Sequence, residues 1–368
     1  MSNNWPTKKL GEVTKIEGGG TPSTKNPLFW NGDVLWLTPK ELSDFSDREI
    51  FDTERKITSE GLKHSKLFPA GAVLFTSRAP IGYVAIAGIQ MATNQGFKNF
   101  ICNEKVLNNG FLYYFLKLKT KYLQSLGRGA TFTEISRSIL EKVEIPLPPL
   151  EIQKQIVERL DKIAEAQKLN DDLIQKSDEL FQSLLHQELN PAGKGWEIKK
   201  LAEVADFLDN LRKPVTASDR VPGPYPYYGA NGQQDSVGGY IFDDELVLLA
   251  EDGGYFGSKT RPVAYRVSGK CWINNHAHVL KNKGEISDID FLGYSLMYYD
   301  VTPYITGSTR AKLNKSAAEK IKIPLPPLQT QKQIVAKLSA VQDYKIQLLA
   351  QKSKLKELFN SVLSKSFK

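Results

Sequence analysis

The sequence predicts an α+β protein: two mixed α/β domains separated by a pair of long antiparallel coiled-coil helices, related by a pseudo-two-fold internal repeat. Three observations carry this reading. Residues 145–185 recur at 323–363 with 18 identities in 41 ungapped positions, including Ile-Pro-Leu-Pro-Pro-Leu and Gln-Lys-Gln-Ile-Val in both copies. The stretches after those motifs, 151–189 and 329–368, contain neither Gly nor Pro. The stretches before them, 1–150 and 190–328, alternate short apolar runs with turn residues.

The element order follows from the repeat. Trp5–Val13 matches Trp196–Val204, so each half starts alike as well as ending alike. In the first domain, 1–150, residues 72–76 and 83–87 read as strands around a turn holding Pro80 and Gly82. A helix-like run covers 111–126. In the second domain, 190–328, the same parts fall at 245–250, 264–267 and 288–299. Residues 190–195, Asn-Pro-Ala-Gly-Lys-Gly, form a joint.

The two uninterrupted stretches are long helices, each about 55–60 Å at 1.5 Å per residue. In 329–368, Ile334, Val341, Leu348, Leu355 and Val362 recur every seven residues, the coiled-coil period. In 151–189 the apolar stripe is Ile156, Leu160, Ile163, Leu173, Leu180 and Leu184. An exposed stripe of this kind needs a cover. The central stretch carries nine acidic against five basic residues, and the C-terminal one eight basic against two acidic. Opposite charge on helices of equal length favours pairing with each other.

Composition narrows the function. No apolar run approaches the ~20 residues needed to span a bilayer, so a membrane protein is not expected. The first ten residues are polar, and no secretory signal is expected. Two cysteines, one in each half, suit a reducing, cytoplasmic setting. A net charge of +8 suits an acidic partner such as nucleic acid. No phosphate-cradling Gly-rich loop is present, and neither Leu-Pro-Pro-Leu follows an Asp or Asn as an amino-methyltransferase requires. His276-Ala-His278 lacks an evident third metal ligand. We therefore expect no catalytic site, no metal and no cofactor in this chain.

The combination resembles the specificity (S) subunits of type I restriction–modification systems. The resemblance spans essentially the whole chain. It rests on the duplicated Ile-Pro-Leu-Pro-Pro-Leu motif, on Ser77–Gly82 and Asn94–Phe97 in the first half, and on Tyr227–Gly232, Glu251–Gly254 and Asn274–Val279 in the second. It implies a non-catalytic subunit whose domains 1–150 and 190–328 are target-recognition domains, each reading one half of a bipartite, asymmetric site on double-stranded DNA. It implies that the helices set the unread spacer and dock two modification (methyltransferase) subunits that bind S-adenosylmethionine. Restriction subunits would join with ATP and Mg²⁺. A helical interaction scaffold without intrinsic DNA specificity is the other reading.

Base reading calls for Arg, Lys, Asn, Gln or carboxylates at a groove edge. The expected DNA contacts are Arg78, Asn94, Gln95, Arg128 and Thr131 in the first half. In the second they are Tyr227, Asn231, Glu251, Asp252, Asn274, His276, Thr309, Arg310, Lys312 and Lys315. Arg78 suits guanine acceptors, whereas Glu251 and Asp252 suit cytosine amines. The expected partner-binding positions on the helices are Ile156, Leu160, Ile163, Ile334, Leu338 and Val341.

Overall fold

The structure is a computed structural model that describes all residues except 1–4, 44, 79, 128–133, 259–260, 308–310 and 368. The chain forms two compact units: residues 1–171 with 351–368 (unit 1), and residues 172–350 (unit 2). The long helices Leu150–Leu189 and Leu328–Ser366 each give one stretch to either unit.

In unit 1 a mixed five-stranded sheet runs in the order Thr14–Gly18, Phe97–Cys102, Val73–Thr76, Val84–Ala87, Glu49–Ile50. A four-stranded sheet runs Lys56–Ile57, Trp30–Leu37, Met91–Thr93, Leu67–Phe68. The turn after Val73–Thr76 needs Gly82 at φ +111°, a region that side chains disfavour. The helix read at 111–126 is two helices, Asn109–Leu118 and Thr120–Leu126. The Thr120 hydroxyl donates back to the carbonyls of Leu116 and Lys117 at the break. Phe75, Phe100, Phe111 and Phe115 form the core, joined by Leu160 of the first long helix and Phe367 beyond the second. The Phe367 ring sits 4.6 Å from that of Phe111.

In unit 2 a six-stranded sheet runs Ala205–Phe207, Ala277–Asn282, Phe242–Ala250, Ala264–Ile273, Pro222–Gly229, Gly232–Val237. Its first four strands follow the order of the first four in the five-stranded sheet. A hairpin then replaces the short strands of unit 1. The helix Ile289–Tyr298 starts at an Asp288 cap. Both repeats also carry a two-stranded ribbon, Thr7–Lys9 with Glu144–Pro146 and Glu197–Lys200 with Lys322–Leu325. The most repetitive stretches of sequence therefore pair with one another within each half.

The long helices pack antiparallel. In unit 2, Ile334 and Leu338 share a core with Phe181, Leu185 and Leu189, and Lys345 pairs with Asp178 while Lys337 pairs with Glu188. One helix rises as the other falls. In unit 1, Lys352 reaches Asp171 at 2.8 Å, and Leu160 shares a core with Leu363. Exposed ion pairs contribute at most ~1 kcal/mol each. A buried Leu contributes ~1.5–3 kcal/mol. Charge thus selects the pairing, and the apolar seam holds it.

Two expectations need correction. Leu160, Ile163, Ile334 and Leu338 are buried in the chain's own cores, and Ile156 and Val341 pack against them. The four buried residues hold the fold and are not open to a partner, and the other two are half-buried against it. The stripe of the first helix also shifts: Leu180 is 50% exposed and Phe181 faces inward instead. Asn170 and Ser177, one heptad apart after Ile163, are buried polar members of that face. A hydrophobic period cannot register polar residues.

One buried side chain fixes each long helix to its domain. Gln153 accepts from the Asn108 amide (2.9 Å) and donates to the carbonyls of Val106 (2.9 Å) and Pro148 (2.8 Å). Gln331 repeats this with the Asp288 amide (2.8 Å), Ile286 (3.0 Å) and Pro326 (2.9 Å). Asn108 and Asp288 are the N-caps of the domain helices. Gln331→Leu would strand a buried amide and two carbonyls, at ~1–3 kcal/mol per group. We expect a loss of ~3 kcal/mol or more by denaturant titration. The exposed neighbour substitution Gln333→Leu should change stability by less than ~0.5 kcal/mol.

Candidate nucleic-acid interface

The backbone builds the same corner in each unit, where a central strand runs out. In unit 1, the Ser77 amide donates to Gly96 (2.8 Å) and the Ser77 carbonyl accepts from Ile135 (2.9 Å). In unit 2, the Glu251 amide donates to His276 (2.9 Å) and its carbonyl accepts from Leu313 (2.7 Å). Isolated bridges extend the match: Arg78 with Glu134, and Asp252 with Lys312. Each corner joins a strand end to the segment that leads into a long helix.

In unit 2 the corner is a dense ion network. The Glu251 carboxylate accepts from Arg212 Nη1 (2.7 Å) and pairs with Lys312 Nζ (3.1 Å). Arg212 also donates to the Ala277 carbonyl at 2.7 Å. His278 is fully buried, with Nδ1 on Asp209 and Nε2 on the Leu313 carbonyl, both at 2.7 Å. The Asp209 carboxylate also accepts from the Val279 amide at 2.9 Å. His276 Nδ1 pairs with Asp252. In unit 1, Lys98 pairs with Glu134 at 3.1 Å and donates to Ser77 Oγ at 3.4 Å.

The donor set argues against a metal or a general base here. Ligand atoms of Asp209, Glu251 and His278 lie within 4.8 Å of one another. Glu251 already faces two cations, and both His278 nitrogens are engaged. An entering cation would have to displace Arg212 and Lys312. What the corner presents outward is charge: Lys312 in unit 2, beside the exposed imidazole of His276, and Glu134 in unit 1.

The expected contact residues fall in different places. Arg78, Glu251, Asp252, His276 and Lys312 come together at the corners. Glu251 is only 14% exposed and saturated by its partners, so it holds Lys312 rather than facing outward. Lys315 is exposed nearby, 5.7 Å from the Phe207 ring. Asn94 and Asn274 are turn-builders, each accepting a 2.8 Å bond from the amide two residues on, Gly96 and His276. Asn274 is buried, which removes it as a contact. Gln95 is exposed and bonded to Thr21, and exposed Asn231 donates to Gly253 at 2.8 Å. Tyr227 is 1% exposed, with its hydroxyl on Val215 and Arg220 stacked on its ring at 4.2 Å. It is a core residue, because the sheet turns this ring inward. Arg128, Thr131, Thr309 and Arg310 lie outside the described residues.

Sequence reading missed Lys98, Glu134, Asp209 and Arg212. Lys98 and His278 sit four residues after Asn94 and Asn274, so carrying that alignment further would have paired them. Asp209 and Arg212 have no such signal. Burial pushes the Asp209 carboxyl up, but the hydrogen bond and charge of His278, with the Val279 amide and Arg212, hold it below the ordinary value. A lowered folded-state value means that its stabilisation is present above the ordinary carboxylate value and lost as pH falls through the folded one. Asp209→Asn should therefore destabilise at pH 7. Its deficit relative to wild type should shrink below about pH 4 in pH-resolved thermal melts.

The sequence profile described as the type I restriction modification DNA specificity domain matches residues 2–176 and again 193–357. The type I restriction enzyme MjaIX specificity subunit of Methanocaldococcus jannaschii is 39% identical over 236 residues, 58% of this chain and 54% of that relative. The chain thus spans about half the length of that relative. The EcoprrI specificity subunit of Escherichia coli is 24% identical over 89% of this chain and 85% of its own length. The crystal structure of the S subunit of a type I restriction–modification system from M. genitalium shares the fold, with a TM-score of 0.65 over 100% of this chain and 98% of that one at 17% identity. With the profile matched in both repeats, the chain belongs to the type I restriction modification DNA specificity domain family.

Proposed function

We propose that the chain is the non-catalytic DNA specificity subunit of a type I restriction–modification complex. The observation that carries this is the pair of corners: one backbone, two different sets of polar side chains. A repeated scaffold with unlike contents suits a DNA site with two unlike halves. Residues 1–150 and 190–328 are the recognition domains, and 151–189 and 329–368 set the spacer between the halves.

The partners are double-stranded DNA, two modification subunits carrying S-adenosylmethionine, and restriction subunits using ATP and Mg²⁺, in the cytoplasm. Because the inward stripe is used by the fold, docking falls to outward apolar residues of the long helices. Leu169, Leu180, Ile346 and Leu349 are such residues. At the DNA, Arg78 reads a base in one half-site. Lys312 and Lys315 contact phosphates. Among the described residues no helix is long and apolar enough to cross a membrane.

The test is single-molecule methylome sequencing of a methylation-free host carrying this chain with its cognate modification subunit. One bipartite motif with methyladenine on both strands is expected. An intact complex that leaves no motif overturns the reading and favours a scaffold without DNA specificity. Arg78→Ala should cost ~1–3 kcal/mol through one half-site only. Equal loss on every sequence would make it a phosphate contact or a fold residue. Lys312→Ala should weaken binding nearly uniformly and lower the slope of log affinity against log salt by ~1.

A further inference from the structure

The two corners differ at all four of their matched polar positions. Ser77, Arg78, Lys98 and Glu134 stand where Glu251, Asp252, His278 and Lys312 stand in unit 2, as the matching backbone bonds establish. In unit 2 a carboxylate, Glu251, lies beneath and holds Lys312, whose side chain is 48% exposed. In unit 1 the order is reversed: Lys98, 15% exposed, lies beneath and holds Glu134, 41% exposed. Both pairs are 3.1 Å long. At one position of the repeat, the outward charge is positive in one unit and negative in the other.

An outward lysine has several uses on DNA, since phosphates and guanine edges both attract it. An outward carboxylate has few. Phosphates repel it, and guanine N7 and O6 are acceptors like itself. In the major groove its good match is a donor, above all the cytosine N4 amine. A negative charge on a surface that approaches DNA lowers affinity for every sequence. On the DNA, a base-specific hydrogen bond offsets that. Lys98 keeps this carboxylate aimed, and is itself anchored on Ser77 Oγ.

We propose that Glu134 is a specificity-determining residue of unit 1, accepting a hydrogen bond from the N4 amine of a cytosine in its half-site, with Lys98 as its positioning residue. The proposal rests on the reading of the chain as a DNA specificity subunit. It makes unit 1 a reader of mixed polarity, with Arg78 donating and Glu134 accepting.

The test uses the full chain with its cognate modification subunit in the methylation-free host, comparing wild type, Glu134→Gln and Glu134→Asp. Wild type gives the reference motif. Glu134→Gln is expected to lose ~10-fold or more of the discrimination at a single C·G pair. That pair lies in one half, and the other half stays unchanged. Glu134→Asp keeps the charge but shortens the reach, and should weaken the same pair alone. Thermal melts and complex assembly at wild-type levels establish that the variants fold. An unaltered motif with tighter binding to all DNA overturns the proposal, leaving Glu134 a mere repeller of phosphate. Relaxation at a pair without cytosine, or equal fading of both halves, also overturns it. A wild-type complex that leaves no motif sinks the specificity-subunit reading itself, which separates the two failures.

Discussion

The rest of each unit depends on one buried glutamine. A buried carbonyl just ahead of a helix's first hydrogen-bonded residue lies outside the i to i+4 pattern and needs a donor from elsewhere. Pro148 and Pro326 are in this position, and Gln153 and Gln331 supply the donor from one turn inside the helix. The same amide groups tie down the loop before the domain helix and the N–H of its capping residue. A long helix held only by a greasy face can slide or roll. One held by three directional bonds at its first turn has a fixed azimuth. That constraint explains why Leu-Pro-Pro-Leu and the following Gln recur unchanged at the same spacing.

Above this constraint the chain separates two tasks. The backbone bonds that join strand, corner and helix are the same in both units, down to the amide of 77 or 251 and the carbonyl it meets. The side chains on those bonds are free to differ because the backbone does not need them. Asn94 and Asn274 mark the boundary between the tasks. Both build the same turn, so both are retained, although their amides look equally suited to DNA.

That boundary also sets what the sequence disclosed. The repeat, the helix limits and the antiparallel pairing were legible because they depend on period, charge and identity. The inward face of the first helix was legible only in part, since Asn170 and Ser177 break an apolar stripe that packing tolerates. Burial was the least legible property. Tyr227 and Asn274 carry groups that would serve a groove, yet the sheet turns them inward. Glu251 was read as a DNA contact, and its real neighbours, Arg212 and Lys312, are 39 and 61 positions away in sequence. No local pattern reports a contact of that range. The charge at 134 and 312 was within reach, because the repeat offset links the two positions directly.

The buried charges of the unit 2 corner limit how its outward face can change. Asp209 and Glu251 are mostly shielded from water, as is Arg212, and His278 is entirely so. Breaking a buried pair by removing one partner costs ~3–5 kcal/mol, because the other charge is left uncompensated. Replacing Lys312 alone leaves Glu251 with Arg212 and is affordable. Replacing Glu251 alone leaves Arg212 and Lys312 facing each other. Unit 1 reaches the opposite outward charge with a neutral Ser77 in place of Glu251 and a lysine in place of His278. No single substitution leads from one arrangement to the other without stranding a charge. The outward residue and the buried layer beneath it therefore change together. On this argument, grafting Lys312 onto position 134 without its buried layer would leave it against Lys98, so a transplanted reading preference requires the whole corner.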